Sequence, residues 1–290
     1  MKKISVIIPN LNSPRIDQTI TALEGQSLDP SYYEVIVVGT DRFGLVRSSE
    51  ITRFVQSDQP LSPAQARNLG VKHANGEILA FTDADCIPAT DWLLIIASRF
   101  EESSINVLGG GIRYYSDNYW TIADNLSMFY EYLENSPPGE RYLLPSLNLA
   151  IRRNAFEQVG GFDERYPRAS GEDADLCLRL REMGIILNFD PCAIVLHAPL
   201  RHNLVDLLQH GYYQGKYSTK VDERYRVKEG LSGVFRTRVG LVLFSPVLAL
   251  GVLIRMIKTS QEVSINKNTI PAIYLAKLAW CIGASNHPKW

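Results

Sequence analysis

The chain has 290 residues, 46% hydrophobic and 21% charged, with 30 basic side chains against 31 acidic ones. That suffices for one large domain or two small ones around a packed core, and it excludes a disordered tail, a collagen-like fibre and a disulfide scaffold. The net charge of −1 conceals an asymmetry, because residues 1–200 carry 17 basic and 26 acidic groups while residues 201–290 carry 13 and 5.

Only a short apolar run, 4–8, follows Lys2 and Lys3 before Pro9 and Asn10. It is too short for the hydrophobic region of a signal peptide and fits a first buried strand. Pattern and punctuation predict a helix at 14–24 closed by Gly25, strands at 34–38 and 52–55, and a helix at 63–74. That second helix has Ser62 as N-cap, Pro63 at its first position and Gly76 just past its end. A strand at 77–82, a helix at 91–100 and a strand at 105–112 through three consecutive glycines follow. Val- and Ile-rich runs alternating with helices read as an α/β fold with an open, doubly wound, mostly parallel sheet.

Aromatic residues (Tyr119, Trp120, Phe129, Tyr130, Tyr132) and the turn Pro137-Pro138-Gly139 interrupt this rhythm, predicting a helix and then a loop. Strands at 147–152, 185–189 and 193–197 and a helix at 170–183 ended by Gly184 complete the first 200 residues. These residues form the expected α/β domain, with halves at about 1–115 and 116–200, ahead of a basic, apolar helical region at 201–290. The four cysteines show neither close pairing nor a CxxC, so reduced thiols in a cytosolic protein are expected.

Two acidic constellations carry chemistry. Asp83 and Asp85 flank Ala84 where an apolar strand ends, the position at which open α/β sheets bind ligands. Residues i and i+2 of a strand point the same way, so both carboxylates can face one hard divalent ion, Mg²⁺ or Mn²⁺, or else they belong to a solvated turn before Pro88. A phosphatase would place such a pair after its first strand, and a calcium loop would need a glycine and further acids. Glu172 and Asp173 open the helix at 170–183, where Ser170 resembles a capping-box partner of Asp173. They either cap the helix or supply a general base.

The order of segments resembles the large family of inverting nucleotide-sugar glycosyltransferases of GT-A fold, family 2. The matching stretches are Ser5-Val-Ile-Ile-Pro-Asn-Leu-Asn12, Ala66-Arg-Asn-Leu-Gly70, Phe81-Thr-Asp-Ala-Asp-Cys-Ile-Pro88, Asn148-Leu-Ala-Ile-Arg152, Gly160-Gly-Phe-Asp163 and Gly171-Glu-Asp-Ala-Asp-Leu-Cys-Leu-Arg179. They cover roughly residues 4–200 and shift the reading of both acidic motifs toward function. The resemblance implies that Pro9, Asn10 and Asn12 line the nucleotide pocket, that Arg67 lies near the base or phosphates, and that Asn148 also serves the donor. It implies that Asp83 and Asp85 hold ribose and metal, with His197 as a further contact to metal or diphosphate, and that Asp173 is the base with Glu172 beside it. One departure stands out. Where relatives carry an acidic pair after the second strand, this chain has Gly39-Thr40 and then Asp41. Either Asp41 substitutes or the donor's base is held differently, which leaves the nucleotide open.

The implied reaction is metal-dependent transfer of a sugar from a nucleoside diphosphate to a hydroxyl of a glycan or lipid-linked acceptor, as in polysaccharide biosynthesis. A non-catalytic nucleotide-sugar or glycan-binding homologue is the alternative. A sugar nucleotidyltransferase is set aside, because Pro9-Asn-Leu-Asn-Ser-Pro14 lacks the glycine-rich loop it needs. Between Lys216 and Arg238 lie seven basic residues (Lys216, Lys220, Arg224, Arg226, Lys228, Arg236, Arg238), and 239–254 then runs sixteen residues without a charge, closed by Arg255 and Lys258. A second apolar stretch at 270–282 contains Lys277. Basic flanks around an apolar helix suit an anionic membrane surface. Peripheral attachment at the cytoplasmic face is therefore expected, ahead of a soluble helical pair and far ahead of nucleic-acid contact.

Overall fold

The computed structural model describes residues 3–114, 116–229 and 237–286, of which 218–229 as backbone only. Of the basic residues in the tail, Lys220, Arg224, Arg226 and Lys228 fall where only backbone is described, and Arg236 lies outside the described residues. In chain order the elements are β1 (Ile4–Leu11), α1 (Ile16–Glu24), β2 (Tyr33–Thr40), β3 (Thr52–Gln56), α2 (Pro63–His73), β4 (Ile78–Thr82), β5 (Cys86–Pro88), α3 (Trp92–Arg99), β6 (Val107–Arg113) and α4 (Tyr119–Phe129). There follow β7 (Gly139–Glu140), β8 (Asn148–Arg152), α5 (Arg153–Gln158), α6 (Glu172–Glu182), β9 (Leu187–His197), α7 (Leu204–Glu229), α8 (Arg238–Thr259), α9 (Gln261–Ile265) and α10 (Ile270–Ser285).

The chain divides into two compact units. The first joins Met1–Arg113 to Tyr132–Ala198, and the second joins Tyr114–Glu131 to Pro199–Trp290. The aromatic segment that holds α4, which the sequence placed within the first 200 residues, thus groups with the C-terminal helices.

In the first unit one sheet runs β3-β2-β1-β4-β8-β6-β9-β5, with β7 paired to β9. Strands β1 and β2 are sealed on both faces, with Ile4, Val6, Ile7, Ile8, Val35, Ile36 and Val37 fully buried. Burial on both faces is what a continuous apolar run requires of a parallel strand. Helix α2 starts where the sequence predicts, through a reciprocal capping box between Ser62 and Gln65 with Pro63 at N1.

The sheet is more mixed than the expected parallel one. Pairs β1–β2, β2–β3, β1–β4 and β6–β9 are parallel, whereas β4–β8, β6–β8, β5–β9 and β7–β9 are antiparallel. Strand β8 enters between β4 and β6 running against both, and hydrophobic periodicity carries no information on strand direction. The two strands expected at 185–197 are one element, β9, which bulges: Gly110 pairs with Asp190 but Ile112 with Val195. The glycine run of β6 makes room for that bulge. A Cβ on Gly110 would lie 2.1 Å from the Ala193 carbonyl oxygen and 2.4 Å from Asn148 Nδ2.

The second unit is helical. Asn118 caps α4 by accepting from the Trp120 and Thr121 amides. Asp124, 1% exposed, meets Arg201 at 3.1 Å and His210 Nδ1 at 2.6 Å. Lys277 on α10 donates to the Ser127 carbonyl, and burial pulls its ammonium pKa down to about 8. Helices α7 and α10 touch backbone to backbone, since a Cβ on Gly215 would sit 1.9 Å from the Trp280 carbonyl oxygen.

Gly110→Ala is expected to destabilise the first unit by about 1–3 kcal/mol, the usual cost of overpacking, because backbone and a buried amide rather than a flexible side chain stand in the way. Chemical denaturation of the variant against the parent measures it.

Candidate active site

The carboxyl edge of β1 and β2 is organised by two asparagines. Asn10 is 3% exposed; its Nδ2 donates to the Thr40 carbonyl at 3.0 Å and its Oδ1 accepts from the Ser13 amide at 3.0 Å. Asn12 adopts φ 56°, a left-handed conformation that asparagine tolerates, and its Oδ1 accepts from the Arg42 amide at 2.8 Å. Pro9, partly buried, stands beside Val38 across the β1–β2 pair. Asp41 shapes the next loop by accepting from the Val46 amide at 2.7 Å, while its buried Oδ1 has no partner among the described residues.

The Asp83-Ala84-Asp85 segment is a turn. β4 ends at Thr82, and the Cys86 amide closes back on the Asp83 carbonyl at 3.1 Å. The strand alternation expected to aim both carboxylates at one ion therefore does not apply. Ser13, a residue to which the sequence reading gave no role, fastens this turn to the β1 loop by donating to the Ala84 carbonyl at 2.8 Å.

The two acids turn to different partners. Antiparallel pairing of β5 with β9 sets Cys86 opposite His197, and the ligand atoms of Asp85, Cys86 and His197 lie within 4.8 Å of one another. Asp83 instead accepts from Arg67 Nη2 at 2.7 Å. The carboxylate and imidazole of this trio fit a divalent ion such as Mn²⁺, and the buried thiol adds a softer donor. Burial and the neighbouring charges of Asp85 and Asp83 push the Cys86 pKa well up, so it is a protonated thiol when no metal is bound.

Arg67, expected near the base or phosphates, lies inside the protein, 1% exposed. Its Nη1 donates to Glu172 Oε1 at 2.9 Å while Nη2 holds Asp83, and the ring of Phe162 lies 5.4 Å from its Cζ. One guanidinium thus joins two acidic motifs separated by 89 residues in sequence. Glu172 Oε2 and Arg67 Nε are buried without partners among the described residues.

Helix α6 opens from Gly171 at φ 88°, with no side-chain cap. The capping box expected between Ser170 and Asp173 is absent because this left-handed glycine, not Ser170, is the N-cap. Asp173 is partly buried, and its carboxylate accepts from the Ser146 amide at 3.2 Å and the Ala174 amide at 2.8 Å. Burial pushes both carboxyls up. For Glu172 the value reaches about 7, raised also by the charge of Asp173 and opposed by Arg67. Asn148, expected to serve the donor, is 1% exposed and fully engaged: it accepts from Trp92 Nε1 and donates to the Gly111 and Ala193 carbonyls. It locks the sheet, with both amide protons donated to backbone carbonyls.

The family model for glycosyl transferase family 2 matches residues 5–160. The chain belongs to glycosyltransferase family 2. Glycosyltransferase AglE of Haloferax volcanii is 30% identical over 75% of this chain and 73% of its own length. The mannosyltransferase PcManGT of Pyrobaculum calidifontis, solved with GDP-Man and Mn²⁺, superposes with a TM-score of 0.59 at 17% identity, over 94% of this chain and 85% of that one. GalNAc-T7, solved with UDP, GalNAc and Mn²⁺, gives a TM-score of 0.52 at 19% identity over 68% of this chain and 44% of that one. This glycosyltransferase accordingly has the GT-A architecture.

In this glycosyltransferase Arg67→Ala would strand Glu172 and Asp83, and unfolding measurements should show a loss of about 3–5 kcal/mol, as when one partner of a buried ion pair is removed. Glu172→Gln tests the raised carboxyl. The folded state holds the Glu172 proton more tightly than the unfolded chain, so this group's contribution to stability falls as the pH rises from 4.5 through about 7. The melting temperature of the parent relative to Glu172→Gln should therefore drop between about pH 5 and pH 8, and a constant difference across that range would contradict it.

Proposed function

We propose that this glycosyltransferase moves a sugar from a nucleoside-diphosphate donor to an acceptor hydroxyl by a single inverting displacement, with Asp173 as general base. The observation that carries this reading is the Arg67 bridge, which holds the Asp83 turn and the start of α6 in one site. Support for the donor class comes from PcManGT and GalNAc-T7, whose structures contain GDP-Man and UDP.

Asp173 takes the proton of the acceptor hydroxyl as that oxygen bonds to the anomeric carbon on the face opposite the diphosphate. The bond from the anomeric carbon to the diphosphate oxygen breaks, and its electron pair leaves with the nucleoside diphosphate. Burial strengthens Asp173 as a base, while the Ser146 and Ala174 amides fix its direction. Asp85 and His197, with Cys86 beside them, would hold Mn²⁺ or Mg²⁺, which neutralises charge on the leaving diphosphate when bound. Arg67 keeps Glu172 and Asp83 in place from within, so Glu172 serves as its counter-ion beside the base. Pro9, Asn10, Asn12 and Asp41 shape the carboxyl edge where the nucleoside lies.

The acceptor in this reading is a glycan or lipid-linked saccharide, met at the cytoplasmic face of a membrane that the second unit touches peripherally. Four free cysteines suit a reducing compartment.

Asp173→Asn is expected to lower transfer by at least about 10²-fold while leaving donor binding nearly unchanged, as read by turnover and by nucleotide titration. Normal turnover in that variant would overturn the base assignment. A chelator should stop donor hydrolysis and transfer, with Mn²⁺ restoring both, and His197→Ala should raise the Mn²⁺ concentration needed; full activity in chelator would remove the metal from the mechanism. Hydrolysis of a panel of nucleotide sugars with Mn²⁺ identifies the donor.

A further inference from the structure

Helix α8 is apolar on both its faces, unlike a surface helix of a water-soluble protein. Its inward positions are Leu241, Ser245, Ala249, Leu253 and Met256, each at most 6% exposed. Outward stand Val239, Val242, Leu243, Val247, Leu250 and Ile254, between 44% and 69% exposed. The one hydroxyl in the apolar stretch, that of Ser245, faces inward and is bonded to the Val242 carbonyl at 2.8 Å. Charges occur only at the helix ends: Arg238 at one, Arg255 and Lys258 at the other. Single exposed apolar side chains are ordinary, but an unbroken outer face of them over four turns marks a contact surface.

The charges decide what covers it. In a two-fold, antiparallel pairing of two copies, Arg238 of each would approach Arg255 and Lys258 of the other, and a parallel pairing would stack like on like. A bilayer with anionic headgroups instead meets cations at both ends of the apolar strip, and long basic side chains place their heads at that level while their stems remain apolar. Arg255 is 70% exposed and makes one loose pair, 3.4 Å, with Glu131, so its guanidinium remains open to a headgroup.

Length and packing set the orientation. The helix has 22 residues, with an 18-residue window of mean hydropathy 2.2, enough by length and composition to cross a membrane. Yet the uncharged stretch between Arg238 and Arg255 spans only about 25 Å at 1.5 Å per residue, against about 30 Å of hydrocarbon. Its inward stripe is sealed within the second unit, so crossing would strip Leu241, Ala249, Leu253 and Met256 from their neighbours.

We propose that the outer face of α8 is a membrane-docking surface for anionic phospholipid. The helix lies in the plane of the interface, with Leu243 and Val247 among the acyl chains and Arg238, Arg255 and Lys258 among the headgroups. This deepens the peripheral-membrane part of the function proposed above and does not depend on its chemistry.

The test is co-sedimentation of the full chain with vesicles of phosphatidylcholine alone or with about 30 mol% phosphatidylglycerol. Binding to the anionic vesicles should be at least tenfold stronger, weaken with salt and be released by alkaline carbonate. The double variant Leu243→Glu/Val247→Glu should lose binding while donor hydrolysis in solution stays at the parent rate, which also reports intact folding. Arg238→Gln/Arg255→Gln/Lys258→Gln should lose the preference for anionic vesicles. Three results would overturn the proposal: undiminished binding of the glutamate variant, resistance to carbonate (a spanning helix), or no vesicle binding with a dimer in sedimentation equilibrium (a second copy). Absence of hydrolysis and transfer with every donor would instead sink the catalytic reading and leave the vesicle result standing.

Discussion

One buried guanidinium holds the first unit's chemistry together. Arg67 is among the largest fully buried side chains of the protein, and it is stabilised there only because two carboxylates reach it from different directions. An isolated charge at that depth would be prohibitive, and a single carboxylate would leave half of its fork unsatisfied. Asp83 arrives from the turn after β4, and Glu172 from the first turn of α6. The sheet must therefore bring the end of β4 beside the start of α6, and in doing so it fixes where Asp85 and Asp173 stand.

The bridge also divides labour within each acidic pair. Asp83 and Glu172 face inward to Arg67, whereas Asp85 groups with Cys86 and His197 and Asp173 is held by backbone amides. In each pair one acid is bound to Arg67 and its neighbour is turned to other partners. Burial is the main reason that the Glu172 and Asp173 carboxyls are both raised, with charge repulsion added and Arg67 opposing it.

Much of this was readable along the chain. Ser62, Pro63 and Gln65 spell out the start of α2, because a helix cap is a local affair of three residues and their own amides. The buried strands announce themselves through Val and Ile, and the two acidic motifs stand out by type and spacing. Asn148 misleads for an instructive reason: its motif is a good family marker, but what it marks is a sheet-locking amide under Gly110 rather than a ligand contact. Cys86 was visible beside Asp85, yet only the β5–β9 pairing gives it His197 as a neighbour.

The sequence by itself determined most of the helices and strands of the first unit and the family, since propensity, capping and burial pattern act over a few residues and motif identity needs no coordinates. It also held the contrast between an acidic first part and a basic, apolar end. Only the tertiary structure decided strand direction, the mixed sheet, the grouping of α4 with the C-terminal helices and the inward turn of Asp83 and Glu172 toward Arg67. It alone showed that α8 turns one apolar face outward while its serine points in. Those features arise from contacts between residues far apart in the chain, where the balance of burial, charge pairing and direction is settled by what each side chain meets rather than by what precedes it.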